Sequence, residues 1–310
     1  MADLSVNLGG IRLRNPVVTA SGTFGYGQEY ADLVPLNRLG AITVKGVSPR
    51  PVPGNPTPRT AEVFGGMLNA IGLQNPGVEK FLHAPEYLPA LRRVGTPVFV
   101  NIWGTSLDDY VEVARRLDAE REGIAALEIN ISCPNIKSGG IAFGTDLKMA
   151  HRVVSAVRQA TTLPLITKLS PNVTDIAEFA KCVVGAGSDI VSLINTMPAM
   201  AIDVETRRPR LANVTGGLSG PAIKPMAVRM VYQVARAVEV PIIGMGGIAT
   251  WEDAAEFLLA GADAVAVGTA IFHDPSCLVR IIEGLDAWLD RQGFRTVADC
   301  VGRLEPPACE

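Results

Sequence analysis

The stretch Ala125-Ala126-Leu127-Glu128-Ile129-Asn130-Ile131-Ser132-Cys133-Pro134-Asn135 contains the pattern that decides the fold. It begins as a short, mostly apolar strand and turns polar at Asn130, in a loop that runs on to Gly144. This loop has no core to fill, yet it carries a thiol and several amides. Loops held on a rigid strand are where binding and catalytic groups concentrate.

The same change from an apolar strand to a polar end recurs along the chain. The predicted strands are 16–20, 41–44, 97–102, 125–129, 163–169, 189–194, 240–244 and 264–267. The predicted helices include 107–120, 147–160, 174–185, 224–238, 251–260 and 275–290. Buried strands alternating with amphipathic helices indicate a parallel sheet covered on both faces. Eight strands after a hairpin at 4–14 favour an α/β fold of the (β/α)8 TIM-barrel type over the alternative, an open doubly wound sheet.

Three connections are longer than a barrel requires. They are 46–77 after strand 2, the loop 130–144 after strand 4, and 197–220 after strand 6. All three leave the C-terminal face of a barrel, where substrate-covering loops belong. None has the composition of a linker, so we expect one barrel domain over residues 1–310. A dinucleotide-binding fold is disfavoured because no G-x-G-x-x-G follows the first strand.

The composition excludes several classes of protein. The net charge is −3 without a Lys/Arg cluster, which gives no support for nucleic-acid or membrane binding. The N-terminus lacks a signal-peptide pattern, and no apolar run approaches the roughly 18 residues of a spanning helix. We therefore expect a cytoplasmic protein. Five widely spaced cysteines without C-x-x-C, and only three histidines, predict neither a disulfide framework nor a metal site.

If the strands form a barrel, their polar ends converge on one mouth. These ends are Ser21, Lys45-Gly46, Asn101, Asn130, Lys168, Asn195-Thr196, Gly246-Gly247 and Gly268-Thr269. The glycine turns after strands 7 and 8 let backbone N–H groups approach an anion, and a following helix adds its positive end. Barrels repeatedly hold a phosphate at this location. The sequence therefore predicts a ligand with a phosphomonoester, with plain tight turns as the alternative.

Three side-chain types define the expected chemistry. Lys168 could form a Schiff base, stabilise a flavin that gains negative charge at N1 and the C2 carbonyl, or serve structure alone. The asparagines, including Asn69, offer paired donors and acceptors that suit a planar amide ring. Cys133 could be a nucleophile, a base or a bystander. It has no nearby His or carboxylate partner, and a thiol of pKa about 8.5 is only slightly ionised at neutral pH.

Four motifs, in this order, resemble those of the dihydroorotate dehydrogenase family. They are Met67-Leu68-Asn69-Ala70-Ile71-Gly72-Leu73-Gln74-Asn75-Pro76-Gly77, Asn130-Ile131-Ser132-Cys133-Pro134-Asn135, Lys168-Leu169-Ser170-Pro171-Asn172 and Gly244-Met245-Gly246-Gly247-Ile248. The resemblance covers nearly the whole chain. It implies a barrel with one FMN per chain that oxidises dihydroorotate to orotate in de novo pyrimidine (UMP) biosynthesis.

The resemblance also implies residue roles. Cys133 would remove the C5 proton of dihydroorotate while the C6 hydride passes to N5 of FMN. The implied FMN contacts are Ser21, Lys45, Gly46, Asn101, Asn130, Lys168, Ile194, Gly220, Gly246, Gly247, Gly268 and Thr269. The implied substrate contacts are Lys45, Asn69, Ala70, Ile71, Gly72, Leu73, Asn130, Asn195 and Thr196.

The loop after the Cys-Pro-Asn is similar to that of the NAD-linked class 1B catalytic subunits. It reads Lys137-Ser138-Gly139-Gly140-Ile141-Ala142-Phe143-Gly144. Class 1B subunits form a dimer that binds two electron-transfer subunits carrying FAD and a [2Fe-2S] cluster. This chain has neither a cysteine cluster nor a dinucleotide motif, so the resemblance implies that such a partner passes the electrons to NAD.

Other functions remain open at the level of sequence. Within the flavin barrels, the alternatives are a fumarate-linked class 1A-type enzyme and a dihydropyrimidine-type reductase. Outside them, the alternatives are a Schiff-base aldolase that uses Lys168 and a non-catalytic flavin- or phosphate-binding subunit.

Overall fold

The structure is a computed structural model that describes residues 2–132 and 143–305. In chain order, its strands are β1 (Val6–Leu8), β2 (Ile11–Leu13), β3 (Val17–Thr19), β4 (Ile42–Val47), β5 (Thr60–Val63), β6 (Gly66–Asn69), β7 (Val98–Ile102), β8 (Ala126–Asn130), β9 (Leu165–Lys168), β10 (Ile190–Leu193), β11 (Met197–Met200), β12 (Ile202–Asp203), β13 (Arg208–Pro209), β14 (Thr215–Ser219), β15 (Ile242–Met245) and β16 (Ala264–Val267).

The α-helices, in chain order, are α1 (Val78–His83), α2 (Leu88–Arg92), α3 (Leu107–Ala119), α4 (Leu147–Ala160), α5 (Ile176–Gly185), α6 (Lys224–Ala235), α7 (Trp251–Ala260), α8 (Ala270–His273), α9 (Cys277–Gln292) and α10 (Val297–Cys300). Short 3-10 helices cover Gln28–Tyr30, Leu36–Arg38 and Pro221–Ile223. Across the ranges that the structure describes, no helix combines the length and the apolar character needed to cross a membrane.

Eight strands form a parallel barrel. Their order is β3, β16, β15, β10, β9, β8, β7 and β4. The two ends of this order meet, because Val18 forms a parallel bridge with Ala41 and the Gly40 N–H donates to the Val17 carbonyl at 2.9 Å. The closed sheet confirms the predicted (β/α)8 fold and rules out the open sheet. Each predicted barrel strand corresponds to an observed one, and α4 and α7 begin and end where the sequence predicted them.

The predicted N-terminal hairpin is present and closes one end of the barrel. Strands β1 and β2 pair with Val6 opposite Leu13, around a glycine turn whose two residues both have positive φ. Leu8 and Leu13 are fully buried among the side chains that fill the barrel interior. The Gly9 turn lies against Ile190, the first residue of β10. The hairpin therefore covers the N-terminal end and leaves the C-terminal end open.

The two long connections after β4 and β10 contain strands that the sequence analysis did not predict. They meet in one antiparallel sheet of order β11-β14-β6-β5, which we call the mouth sheet. In it, Gly217 of β14 pairs with Asn69 of β6. A small separate core of Leu68, Ala70 and Leu211 holds the mouth sheet together. Of the predicted loop 130–144, only 130–132 and 143–144 belong to the described residues.

Candidate active site

A cavity of about 490 Å³ lies at the C-terminal ends of the barrel strands, beside the mouth sheet. This volume falls within the roughly 300–1,000 Å³ of ligand pockets. The predicted FMN-contacting residues that line it are Ser21, Lys45, Gly46, Asn101, Asn130, Lys168, Ile194, Gly220, Gly246, Gly247, Gly268 and Thr269. The predicted substrate-contacting residues that line it are Lys45, Asn69, Ala70, Ile71, Gly72, Leu73, Asn130, Asn195 and Thr196. The fold thus brings together residues from all eight predicted strand ends and from the long connections after β4 and β10.

The predicted base, Cys133, lies outside the described residues, as do Pro134 to Ala142. The last described residue before it, Ser132, is buried and anchored. Its hydroxyl donates to the Lys168 carbonyl at 2.9 Å, and its N–H donates to Asn130 Oδ1 at 3.2 Å. The role of Cys133 therefore stays a prediction.

Lys168 ends strand β9 and is only 5% exposed. Its Nζ donates to Ser21 Oγ at 3.1 Å, and Asn101 Nδ2 donates to the same hydroxyl at 3.3 Å. Among the described residues, no carboxylate forms an ion pair with Lys168. A buried cation that is not neutralised by contact, at the wall of a cavity, can stabilise negative charge on a bound ligand.

Lys45 is brought into the cavity by a β-bulge. The pairing of β4 with β7 shifts between Val44 and Val47, so Lys45 and Gly46 together lie opposite one residue, Asn101. Bulges of this kind redirect side chains near active sites. Burial and the positive charge of Arg59 lower the pKa of Lys45, while Glu29 acts in the opposite direction. Strand β4 extends past its predicted end at Val44 because its pairing with β7 resumes at Val47 after the bulge.

The asparagines are held in fixed orientations by their neighbours. Asn130 Oδ1 accepts from the Ser132 N–H and, at 3.5 Å, from Asn195 Nδ2. Asn195 Oδ1 in turn accepts from the Thr196 N–H at 2.7 Å. Asn69 Nδ2 donates to the Gly217 carbonyl at 3.3 Å, which ties it to the mouth sheet. Such fixed amides recognise the edges of a planar ring by paired donors and acceptors.

The segment Asn69–Leu73 forms a second wall of the cavity. Asn55 holds it, because Asn55 Nδ2 donates to the Ala70 carbonyl at 2.9 Å and the Asn55 N–H donates to the Ile71 carbonyl at 3.0 Å. Gly72 and Leu73 both have positive φ. Within the described residues, the N–H groups of Ile71, Gly72 and Leu73 find no hydrogen-bond acceptor. Successive unsatisfied N–H groups at a cavity wall suit a carboxylate.

The glycine turns after β15 and β16 form a cradle at the opposite end of the cavity. Gly246 and Gly247 have φ values of 132° and 78°. A Cβ on Gly247 would lie 2.8 Å from both the Gly220 carbonyl oxygen and Lys224 Cβ. Across the part of the chain that the structure describes, the N–H groups of Gly246, Gly247, Gly268 and Thr269 donate to no protein acceptor. The cradle fits the phosphate group that FMN carries.

The contribution of a helix start to the anion site stays a prediction. At the start of α7, Asp253 Oδ2 accepts from the N–H groups of Ala249 and Thr250 at 2.9 Å, in a capping box with Thr250. The Asp253 carboxylate thus places a negative charge at the N-terminus of α7, where it offsets the positive end of that helix.

The sequence analysis missed several residues that line the cavity or support it. Arg59 and Ser219 line it from the two long connections, and Thr269 donates to Ser219 Oγ at 2.7 Å. Beneath the cavity, Glu128 accepts from Asn101 and from Ser192. The sequence did contain a signal for Glu128, because a glutamate is unusual within an apolar strand such as Ala126–Asn130.

Known proteins resemble this chain along almost its whole length. The sequence model of the dihydroorotate dehydrogenase family matches residues 3–289. The chain is 60% identical over 302 residues to the "Dihydroorotate dehydrogenase B (NAD(+)), catalytic subunit" of Geotalea uraniireducens, covering 97% of this chain and 98% of that one. It is 59% identical over 303 residues to the protein of the same name from Geobacter sulfurreducens, covering 98% of each.

A solved structure shares the fold. It is the crystal structure of DHODH in complex with ferulenol from Eimeria tenella, which superposes with a TM-score of 0.80 at 26% identity. The similarity covers 97% of this chain and 88% of that chain.

Proposed function

Because the chain belongs to the dihydroorotate dehydrogenase family, we propose that it is the catalytic subunit of the NAD-linked class 1B enzyme and oxidises dihydroorotate to orotate in pyrimidine biosynthesis. The observation that carries the proposal is that the Lys168 cation, the fixed asparagine amides and the glycine cradle lie together in one cavity. Family membership excludes the Schiff-base aldolase. The NAD(+) in the relatives' names supports NAD over fumarate as the final acceptor.

FMN supplies a hydride acceptor when it is bound in this barrel. The glycine cradle would hold its phosphate, and Lys168 would face the ring atoms that gain negative charge when the hydride arrives. Asn101 and Ser21 fix the Lys168 side of the ring site through their shared hydrogen bonds. We propose one FMN per chain within a single barrel domain.

The substrate would lie between the ring site and the wall at Asn69–Leu73. Lys45 and the three unsatisfied N–H groups of that wall would bind its carboxylate, while Asn130 and Asn195 would bind the ring amides. We propose that Cys133 takes the C5 proton, because it follows directly on the anchored Ser132. The positioned base typically contributes about 10²–10⁴-fold to the rate.

The visible spectrum of the purified chain, before and after anaerobic addition of dihydroorotate, tests this proposal. A yellow protein that bleaches supports it. A yellow protein that does not bleach contradicts the substrate, and a colourless protein that does not take up added FMN contradicts the whole proposal. For the base, Cys133→Ala is expected to keep FMN and lose most turnover at every pH. The matched control is Cys182→Ala, which removes a thiol whose hydrogen bond goes to the Leu147 carbonyl, away from the cavity.

We further propose that the chain forms a dimer that binds two electron-transfer subunits carrying FAD and a [2Fe-2S] cluster, in the cytoplasm. The name "catalytic subunit" carried by the relatives supports the existence of a partner subunit. Dihydroorotate should reduce the bound FMN of the isolated chain without forming NADH, and addition of the partner should start NADH formation. Rapid NAD reduction by the pure chain would contradict the need for a partner.

A further inference from the structure

Glu128 is a buried carboxylate beneath the cavity, in contact with the cavity-lining Asn101, and the proposed reaction gives it no role. It is 2% exposed and lies in the middle of strand β8. Alternation along the strand places it on the same side as Ala126, which belongs to the barrel interior, and Asn130, which lines the cavity. Charged side chains are rarely buried this completely without a partner.

Both oxygens of Glu128 accept hydrogen bonds, one from a side chain that lines the cavity and one from a side chain that does not. Oε2 accepts from Asn101 Nδ2 at 2.6 Å, and Oε1 accepts from Ser192 Oγ at 2.9 Å. A carboxylate group can accept both of these hydrogen bonds. In the described part of the chain, no lysine or arginine forms an ion pair with Glu128. Its two oxygens are therefore held in the barrel interior by neutral groups.

Glu128 also determines which way the Asn101 amide points. A carboxylate only accepts, so it holds the NH₂ group of Asn101 and turns Oδ1 away. Oδ1 accordingly lies beside Gly46 at the cavity wall, where an added Cβ would be 2.9 Å from it. The other hydrogen bond of the Asn101 NH₂ group goes to Ser21, the same hydroxyl that receives Lys168.

We propose that Glu128 is a positioning residue that fixes Asn101 and lowers the reduction potential of the bound flavin. The proposal rests on the proposed function. A hydride from C6 of the substrate brings two electrons and one proton, so the flavin ring gains one negative charge while the C5 proton leaves to the base. Lys168 favours that charge, and the buried carboxylate beneath Asn101 opposes it because charges interact strongly in a low-dielectric interior. Glu128 thereby keeps the reduced flavin a good electron donor to the next acceptor.

Glu128→Gln separates the charge from the geometry. The glutamine carbonyl can accept from Asn101, and its NH₂ group can donate to the Ser192 hydroxyl, so shape and hydrogen bonds are retained. We expect the Kd for FMN to stay within about twofold of the wild type. We expect at least a tenfold shift in the relative affinity toward reduced flavin, which raises the midpoint potential by about 30 mV for a two-electron couple.

The potential is measured on the FMN-loaded chain by equilibration with redox dyes of known potential. The control is Ser192→Ala, which removes one hydrogen bond to Glu128 but keeps the carboxylate, and its potential should equal that of the wild type. A folded Glu128→Gln protein that binds FMN with the wild-type potential would overturn the inference. If that variant does not fold, the potential of Glu128→Asp is measured instead. Weaker FMN binding at the wild-type potential supports the inference. A raised potential, despite the retained carboxylate, overturns it. A wild-type chain that neither binds FMN nor bleaches with dihydroorotate is a failure of the proposed function instead.

Discussion

Replacing Gly247 with alanine tests whether the turn after β15 holds the phosphate of FMN. The φ of 78° at Gly247 is a conformation that costs other L-residues about 1–2 kcal/mol. The added Cβ would also lie 2.8 Å from Lys224 Cβ, about 1 Å closer than the roughly 3.5–4.0 Å of a relaxed carbon–carbon contact. It would lie equally close to the Gly220 carbonyl oxygen. Because that oxygen belongs to the backbone, the turn itself has to move.

A movement of about 1 Å takes an N–H group out of the roughly 2.7–3.2 Å range of a hydrogen bond. Losing one hydrogen bond to a charged group costs about 1.5–3 kcal/mol. This corresponds to roughly 10–150-fold in Kd. We therefore expect Gly247→Ala to weaken FMN binding by about one to two orders of magnitude, measured by the quenching of flavin fluorescence during titration with the apoprotein.

Gly293→Ala is the matched control. Gly293 follows helix α9 with a φ of 76°, and a Cβ there would meet no atom within 4 Å. It does not line the cavity. Both variants should lose about 1–2 kcal/mol of unfolding free energy from the left-handed backbone, but only Gly247→Ala should lose FMN affinity. A folded Gly247→Ala protein with the wild-type Kd for FMN would refute the placement of the phosphate.

Three further variants or titrations follow from the same contacts. Burial and Arg59 lower the pKa of Lys45, so its positive charge is lost at a lower pH than in an ordinary lysine. Orotate binding should therefore weaken as the pH rises toward that pKa. A Kd for orotate that stays constant from about pH 7 to pH 10 would contradict the binding of the substrate carboxylate by Lys45. Lys168→Met should keep FMN but slow its reduction by dihydroorotate by roughly 10²–10³-fold in stopped-flow measurements, and unchanged reduction would place the charged ring atoms elsewhere. Burial raises the pKa of Asp253, but its hydrogen bonds with Lys224 and with backbone N–H groups outweigh that effect and lower the pKa. Asp253→Asn should therefore cost about 1 kcal/mol of unfolding free energy near pH 7. This loss of unfolding free energy should vanish as the pH falls below the pKa of Asp253, because the wild type then loses the same carboxylate charge. A loss that persists in acid would show that the charge of Asp253 does not stabilise the fold.

The barrel was predictable from sequence because each parallel strand is buried on both faces. Such strands form continuous apolar runs, and the helices between them have a clear period. The ends of these runs placed Lys168 and the glycine turns at one mouth, and the cavity brings them together. The fold thus follows from local patterns, and the site follows from the fold.

The mouth sheet was not predictable by the same argument. Strand β14, Thr215–Ser219, contains two glycines and is partly exposed, so it lacks both a continuous apolar run and a clean alternation. It pairs with β6, which lies about half the chain away, and local sequence carries no information about such a partner. The bulge at Lys45 was missed for a related reason, because only pairing with β7 reveals the shift in register.

The mouth sheet can be completed only late in the synthesis of the chain on the ribosome. The hydrogen bond from Asn69 to Gly217 joins residues 148 positions apart. At about 5–20 residues per second, the ribosome takes roughly 7–30 s to make that interval. During this time, the edge of β6 that later pairs with β14 has no partner strand. Unpaired strand edges promote association between chains. A nascent chain halted before β14 is therefore expected to hold no FMN and to depend on chaperones, however many of its barrel strands have already formed.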